Sequence, residues 1–349
     1  MWIDSELDRG SLGGGSIEAA DVYRLADGLL YLDCDNPVFQ QRFSVLFQEC
    51  RVEGSPGNKA PFARVTLRTP RPQDPSLVRI QLSGDLPLLP FALELFRERG
   101  LVETQAADYP EWRVLAAPGG TPLLGFREDR VLVFPVPGWQ ALVAELATSA
   151  LMCLQDDVLF FHAATISIGG KGVFITGDKG QGKTTLSLAL AGRGHGFLGD
   201  EYAAVSLSST EILPFRRAVS IRPGPQAEGL AEHLKNRDYP TDMTPEGTTR
   251  VRASVGDVFP GPVPEPVKLT HAFFLEGFAA QPSVRKIAVG GSHIPFLRPL
   301  VPTIWRRSGR VAFELLRILS EVNCFAILAG GSPDETASLI ENTVEEAWA

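Results

Sequence analysis

The sequence predicts an α/β protein in two parts, an alternating α/β domain in the second half preceded by a smaller, β-rich α+β domain. Three observations carry this. After about residue 150, apolar runs of strand length alternate with helix-period segments, as an α/β domain requires. Among them a glycine-rich turn, Gly177-Asp178-Lys179-Gly180-Gln181-Gly182-Lys183-Thr184, stands between an apolar run and a helix-like stretch. Between residues 22 and 136, short alternating runs separated by turn signals outnumber helical ones.

The chain is long enough, at 349 residues, for two or three domains, and 44% hydrophobic residues with 21% charged ones suit packed cores without staples. A net charge of −8 argues against a broad nucleic-acid footprint, because phosphate backbones are bound by basic surfaces. No apolar run approaches the ~18 residues of a membrane span, so no membrane partner is expected. Cys34, Cys50, Cys153 and Cys324 lie far apart and form no C-x-x-C pair, which reads as free thiols in a reducing compartment. The acidic, glycine-rich N-terminus is not a signal peptide, and a cytoplasmic protein is expected.

Residues 1–17 read as a flexible tail and 18–136 as the N-terminal domain, a unit for recognition or assembly. "YRLADGLLYLDC" alternates as a β-hairpin with Asp27-Gly28 as its turn. "NPVFQQRFSVLFQEC" is a helix with Asn36 as N-cap, Pro37 in the first turn, and Phe39, Phe43 and Phe47 on one face. "FARVTLRT" and "LVRIQLSG" are strands, "LLPFALELFRERG" a helix ending at Gly100, and "WRVLAAP", "PLLGFRE" and "RVLVFPV" further strands.

The second domain, 137–349, opens with the helix "GWQALVAELATSALMCLQ". "VLFFHAATISI" and "VFITG" read as a hairpin leading into the glycine loop, and "KTTLSLALAGRG" as the helix after it. "HGFLGDE" is a short strand ending in acids, which "YAAVSLS" continues. "LTHAFFLEGF" and "CFAILAG" are strands; "IPFLRPLV", "RVAFELLRILSEV" and "PDETASLIENTVEEAW" are helices.

The glycine loop matches the P-loop pattern G-x-x-x-x-G-K-[ST] from Gly177 to Thr184. Glycines let the backbone curl and aim successive N–H groups inward, and the helix behind adds its N-terminal amides and dipole. Lys183 is placed for the β- and γ-phosphates, Thr184 for Mg²⁺, and Thr185 continues the anion site. Seventeen and eighteen residues past Lys183 stand Asp200 and Glu201. A helix and a short strand return the chain beside the loop, so an acid there can hold Mg²⁺ or accept a proton from an attacking hydroxyl. Arg216, Arg217 and Arg222, in "LPFRRAVSIRPG", are candidate clamps on the γ-phosphate or the acceptor.

The run "FHAATISIGGKGVFITGDKGQGKTTLSLALAGRGHGFLGDE" resembles the catalytic core of the HPr kinase/phosphorylase family. That family shows a His-Gly or His-Ala pair, then G-D-S-G-x-G-K-S, a helix, R-G-H and a D-D pair. Here His162-Ala163, the Gly177–Thr184 loop, Arg193-Gly194-His195 and Asp200-Glu201 match without gaps. The tail "CFAILAGGSPDETASLIENTVE" resembles the end of shorter relatives. The resemblance implies a P-loop kinase domain of the phosphoenolpyruvate-carboxykinase-like type, using ATP and Mg²⁺ to phosphorylate a serine-type hydroxyl on a protein or peptide. It implies Asp200 as base, Glu201 with Thr184 as metal holders, His162 by the transferring phosphoryl group, and self-association. Lys179 replaces the family's loop serine and Glu201 its second Asp, and the signature L-E-I-R-G-L-G is absent. A small-molecule kinase and a nucleotide-gated binding protein are the alternatives.

Overall fold

The computed structural model describes residues 20–53, 60–69, 75–222, 239, 241–243, 249–289, 314 and 317–346. The expected tail 1–17, the helix over "IPFLRPLV" and the first part of the "RVAFELLRILSEV" helix, apart from Glu314, lie outside them. The fold is mixed α/β and rich in sheet. It divides into two compact units. Among the described residues, one takes those up to Ser44 and from Arg51 to Asp156, the other Val45–Cys50 and those from Asp157 onward.

The strands of the first unit are β1 (Asp21–Leu25), β2 (Gly28–Cys34), β3 (Phe62–Arg68), β4 (Ser76–Leu82), β5 (Val102–Gln105), β6 (Arg113–Ala116), β7 (Pro122–Arg127) and β8 (Arg130–Val133). They form one eight-stranded sheet in the order β1-β2-β3-β4-β8-β7-β6-β5. Helices α1 (Pro37–Phe47), α2 (Leu88–Leu95) and α3 (Trp139–Cys153) accompany it, and the division between units falls within α1, after Ser44. The expected N-cap is present: Asn36 Oδ1 accepts the Phe39 N–H at 3.0 Å. The first hairpin closes on Leu25 and Gly28, so its turn is Ala26-Asp27, one residue earlier than expected. Gln155 explains why that turn holds. Its Oε1 accepts the Asp27 N–H at 2.9 Å and its Nε2 donates to Leu25 O at 3.1 Å. A Cβ on Gly28 would lie 2.7 Å from Nε2, so close approach, and not turn geometry, is what Gly28 provides.

Helix α3 packs on β2, β3 and β4, and Trp139 stacks on Phe39 with ring centroids 5.7 Å apart. It therefore sits with the first unit, and the division falls at Asp156/Asp157 instead of just before the helix, where residue 137 had been expected to open the second domain. The apolar face of α3 is what misleads: with Leu142, Val143, Leu146, Ala150 and Leu151 buried, the helix belongs wherever a sheet can cover it.

The second unit holds β9 (Val158–Phe161), β10 (Ala164–Ile168), β11 (Lys171–Gly177), β12 (Gly196–Gly199), β13 (Ala203–Ser206), β14 (Glu211–Leu213), β15 (Val219–Ile221), β16 (Thr241–Met243), β17 (Thr249–Ala253), β18 (Val267–Ala279), β19 (Ser283–Lys286) and β20 (Asn323–Gly330). Its main sheet runs β12-β10-β11-β18-β14-β13-β9, with β20 also pairing β18 and β19 pairing β20; β15-β17-β16 form a separate small sheet. Helices α4 (Lys183–Gly192) and α5 (Pro333–Glu345) supply Leu186, Leu190, Ala337 and Ile340 to a core shared with Ile175, Phe273, Leu275 and Phe325.

Two expectations change here, and both changes matter for the site. The run "VLFFHAATISI" is two strands: β9 pairs with β13, while β10 pairs with β11 and β12. The acids do not continue into one strand either, since β12 ends at Gly199 and β13 starts at Ala203 in another part of the sheet. Both chains switch neighbours at the same level, because Phe161 faces Ala203 and Thr165 faces Gly199. The two crossings leave His162 and the Asp200-Glu201 pair opposite one another. Strand β12 is not adjacent to β11 but separated from it by β10, antiparallel to both, so β11 and β12 still run in one direction and end at one edge.

Candidate functional site

The loop between β11 and α4 has the conformation its glycines allow. Gly180 (φ 89°) and Gly182 (φ 94°) lie in the left-handed region, where a side chain would be strained. Gly177 has a different reason: a Cβ there would lie 2.5 Å from Gln181 Oε1 and 2.8 Å from Leu275 Cβ. The Asp178 N–H donates to Gln181 Oε1 at 2.7 Å, which ties the loop across itself. Helix α4 starts at Lys183, with Gly182 as its left-handed N-cap, so its first amides open toward the loop.

Lys183 is buried, and its Nζ donates to Gly177 O at 2.8 Å and Asp178 O at 3.1 Å. The two loop carbonyls hold the ammonium at the mouth of the loop. Thr184 Oγ1 donates to Asp200 Oδ2 at 2.7 Å, so the residue after the lysine and the first acid are in direct contact. These groups line a cleft of about 610 Å³ together with His162, Lys179, Gly180, Thr185, Glu201 and Arg222.

The two acids sit in opposite electrostatic environments. Burial and then the neighbouring Glu201 charge push the Asp200 carboxyl up from 3.8 to about 7, against the Thr184 hydrogen bond. Burial acts on Glu201 in the same direction, but the guanidinium groups of Arg217 and Arg252, followed by His162 and Arg250, hold its carboxyl below the ordinary range. Glu201 Oε2 lies 3.4 Å from Arg217 Nη1 and 3.9 Å from Arg252 Nη1. Its backbone is left-handed (φ 63°), uncommon for a residue with a side chain, and this is where the chain leaves β12.

The three arginines read from the sequence part company. Arg222 lines the cleft. Arg217 lies over the rings of Tyr202 and Phe47, 5.1 and 5.8 Å from their centroids, and reaches Glu201. Arg216 is engaged elsewhere: its Nε donates to Glu49 Oε2 at 2.5 Å and its Nη1 to Phe197 O at 3.3 Å, with Arg216 buried and Glu49 partly so. Glu49 also accepts from Ser254 Oγ and, at 2.6 Å, from the Gly256 N–H, so Arg216 is a structural tie to Val45–Cys50. His195 likewise faces away, pairing with Glu341 at 2.5 Å.

Sequence reasoning missed Arg250 and Arg252, which come from "TTRVRASV" in β17 and whose only signal is alternation. It also missed Phe278, and the turn Gly330-Gly331-Ser332-Pro333, which lines the same cleft.

The left-handed glycines of the loop, the buried lysine at its mouth and the acid against the following hydroxyl are features suited to a phosphate site. No protein-family model matches the chain. It is 33% identical over 86 residues to the HPr kinase/phosphorylase of Azoarcus sp., covering 25% of this chain and 28% of that one. It is 29% identical over 130 residues to the HPr kinase/phosphorylase of Paraburkholderia xenovorans, covering 35% and 39%. The HPr(Ser) kinase/phosphatase from Coxiella burnetii is similar at 17% identity over 53% of this chain and 93% of that one, with a TM-score of 0.27. The chain spans about a third of the length of the curated relatives it matches. Over these stretches the chain resembles the HPr kinase/phosphorylases, as the motifs between His162 and Glu201 imply.

Proposed function

We propose that the chain is an ATP-dependent kinase that transfers the γ-phosphoryl group to a serine-type hydroxyl of a protein or peptide, with a P-loop domain of the phosphoenolpyruvate-carboxykinase-like type. The observation that carries the reading is the Thr184–Asp200 contact at 2.7 Å, beside Lys183 and opposite His162. It joins a phosphate site to a proton acceptor, and phosphoryl transfer needs both. The relatives' names, HPr kinase/phosphorylase, support the same reaction class.

The donor chemistry fits Mg²⁺. Thr184 and Glu201 are hard oxygen donors at one side of the cleft. Among the described residues no group of three or more His, Cys, Asp or Glu gathers, and Mg²⁺ bound with a nucleotide takes only one or two protein carboxylates beside phosphate oxygens and waters. Bound there, Mg²⁺ would supply neutralisation of phosphate charge.

In this reading the loop amides and Lys183 hold the β- and γ-phosphates, and the lysine stabilises charge that grows on the leaving oxygen. Lys179 and Arg222 add positive charge at the cleft wall, and His162 lies on the acceptor side. Asp200, whose carboxyl titrates near neutrality, takes the acceptor's proton as the new O–P bond forms. One observation favours a second assignment of the acids. Asp200, and not Glu201, touches the Thr184 hydroxyl, whereas Glu201 is engaged by Arg217 and Arg252. In that assignment Asp200 shares the metal with Thr184, and Glu201 positions the arginines.

Incubating the purified chain with γ-labelled ATP, Mg²⁺ and a lysate tests the reaction. Label in a protein or peptide band, on serine after acid hydrolysis, is expected. Label confined to small metabolites, or only slow ATP loss, would overturn the acceptor class.

A further inference from the structure

The cleft has two unlike ends, set by the order of strands on either side of β11. On one side, through β10 and β12, lie His162, Asp200 and Glu201. On the other, through β18 and β20, the wall is Phe278, Ala279, Ala329, Gly330, Gly331 and Pro333, with no ionisable group among them. Phe278 stands out there as a large apolar side chain left 68% exposed.

Its position follows from an irregularity in β18. Phe273 pairs with Phe325 and Leu275 with Ile327, all four on the α4/α5 face of the sheet. The register then shifts: Gly277 pairs with Leu328 and Phe278 with Ala329, leaving Glu276 as the extra residue. Strand residues alternate between faces, so without the shift Phe278 would share the face of Phe274, away from the loop. The bulge turns it to the loop side, with Gly277 at φ 137°. A Cβ built on Gly182 would lie 3.9 Å from the Phe278 ring.

The facing turn is closed on itself. Thr336 Oγ1 donates to Gly330 O at 3.0 Å and accepts the Gly330 N–H at 3.2 Å. The Ser332 hydroxyl and Glu335 carboxylate satisfy each other's backbone amides, and Gly331 puts no side chain in the way. The result is a flat wall with neutral lining and an aromatic ring beside it. Such a wall suits the face of a heterocycle.

We infer that Phe278, placed by the β18 bulge, is the shelf on which the base of the bound nucleotide stacks. This rests on the nucleotide reading above. A triphosphate laid along the loop with its γ-phosphate toward Asp200 has its base at the opposite end, where Phe278 is. Stacking of this kind carries affinity without selecting strongly among bases.

Calorimetry on the full chain separates this inference from the reading it rests on, using Mg·ATP and Mg·tripolyphosphate as paired ligands. Phe278→Ala should weaken ATP binding by roughly 5- to 150-fold, the usual worth of a base on an aromatic ring. It should leave tripolyphosphate binding unchanged, and Phe278→Trp should keep ATP affinity at or above wild type. If wild type binds both ligands and Phe278→Ala weakens neither, or weakens both alike, the shelf is overturned and the phosphate site stands. If wild type binds neither, the nucleotide reading fails and the shelf with it.

Discussion

Asp200→Asn should make the protein more stable and less active, and the size of the first effect comes from the buried carboxyl. Asp200 is only 4% exposed, and burial together with Glu201 raises its carboxyl from 3.8 to about 7. The folded chain thus keeps a proton that the unfolded chain releases near 3.8. Between those limits the folded state binds more protons, so stability is highest below 3.8 and falls as pH climbs through about 7. At about 1.36 kcal/mol per pH unit, the whole window is worth about 4 kcal/mol. Asparagine cannot ionise, and its amide oxygen can still accept from Thr184. The variant should therefore escape most of that loss at pH 8 and gain little at pH 4.5.

Thermal unfolding followed by circular dichroism across this range is the assay. About 2–4 °C per kcal/mol makes the gain several degrees at pH 8, shrinking as pH falls. Transfer to the acceptor should drop roughly 10²–10⁴-fold in the same variant. A pH-independent gap, or a variant less stable than wild type at pH 8, would refute the account of Asp200 as a carboxylate strained by its burial. The opposition between stability and turnover is what a site under functional constraint shows.

Lys183→Ala should abolish turnover and weaken ATP binding, with far-UV circular dichroism unchanged; near-wild-type turnover would remove the P-loop assignment. Glu201→Gln should raise the Mg²⁺ requirement for nucleotide binding, measured by calorimetry with Mg·ATP. If instead Asp200→Asn loses Mg·ATP affinity and Glu201→Gln keeps it, the second assignment of the acids is correct. Glu49→Ala strips the buried Arg216 of its carboxylate, and the second unit should lose about 3–5 kcal/mol in urea denaturation. A fragment of residues 137–349, which lacks Val45–Cys50, should show at least that loss, and a fragment as stable as the full chain would remove the structural role given to Glu49.

How far the sequence could be read depended on whether an element's neighbours are close in the chain. The Asn36-capped helix and the glycine loop are local, and each follows from a few adjacent residues; the first hairpin is local too, but its turn sits one residue early where Gln155 holds it, and the helix expected to run to Gly100 ends at Leu95. The chain of motifs from His162 to Glu201 is also legible, because its parts keep their order and spacing within one supersecondary unit. The larger failures are long-range. A helix such as α3 shows its apolar face but not the sheet that will cover it, so the sequence assigns it to the second domain while it packs on β2, β3 and β4. The strand pair at "VLFFHAATISI" looks continuous because both halves are apolar, and only pairing with β13 on one side and with β11 and β12 on the other shows the break at His162. Arg216 and Arg217 are adjacent in sequence and of one kind, yet one is spent on Glu49 and the other on Glu201. No rule of local pattern separates them, because their partners lie far off in the chain. The crossing of β9–β10 with β12–β13 has the same character. It brings His162 to Asp200 and Glu201, and it forces Glu201 into the left-handed region at the turn. A strand that simply continued would have left the acids alternating on two faces of the sheet, one of them away from Thr184. The interruption is thus what assembles the site, and the sequence marks it with nothing more than an acidic pair between two apolar runs.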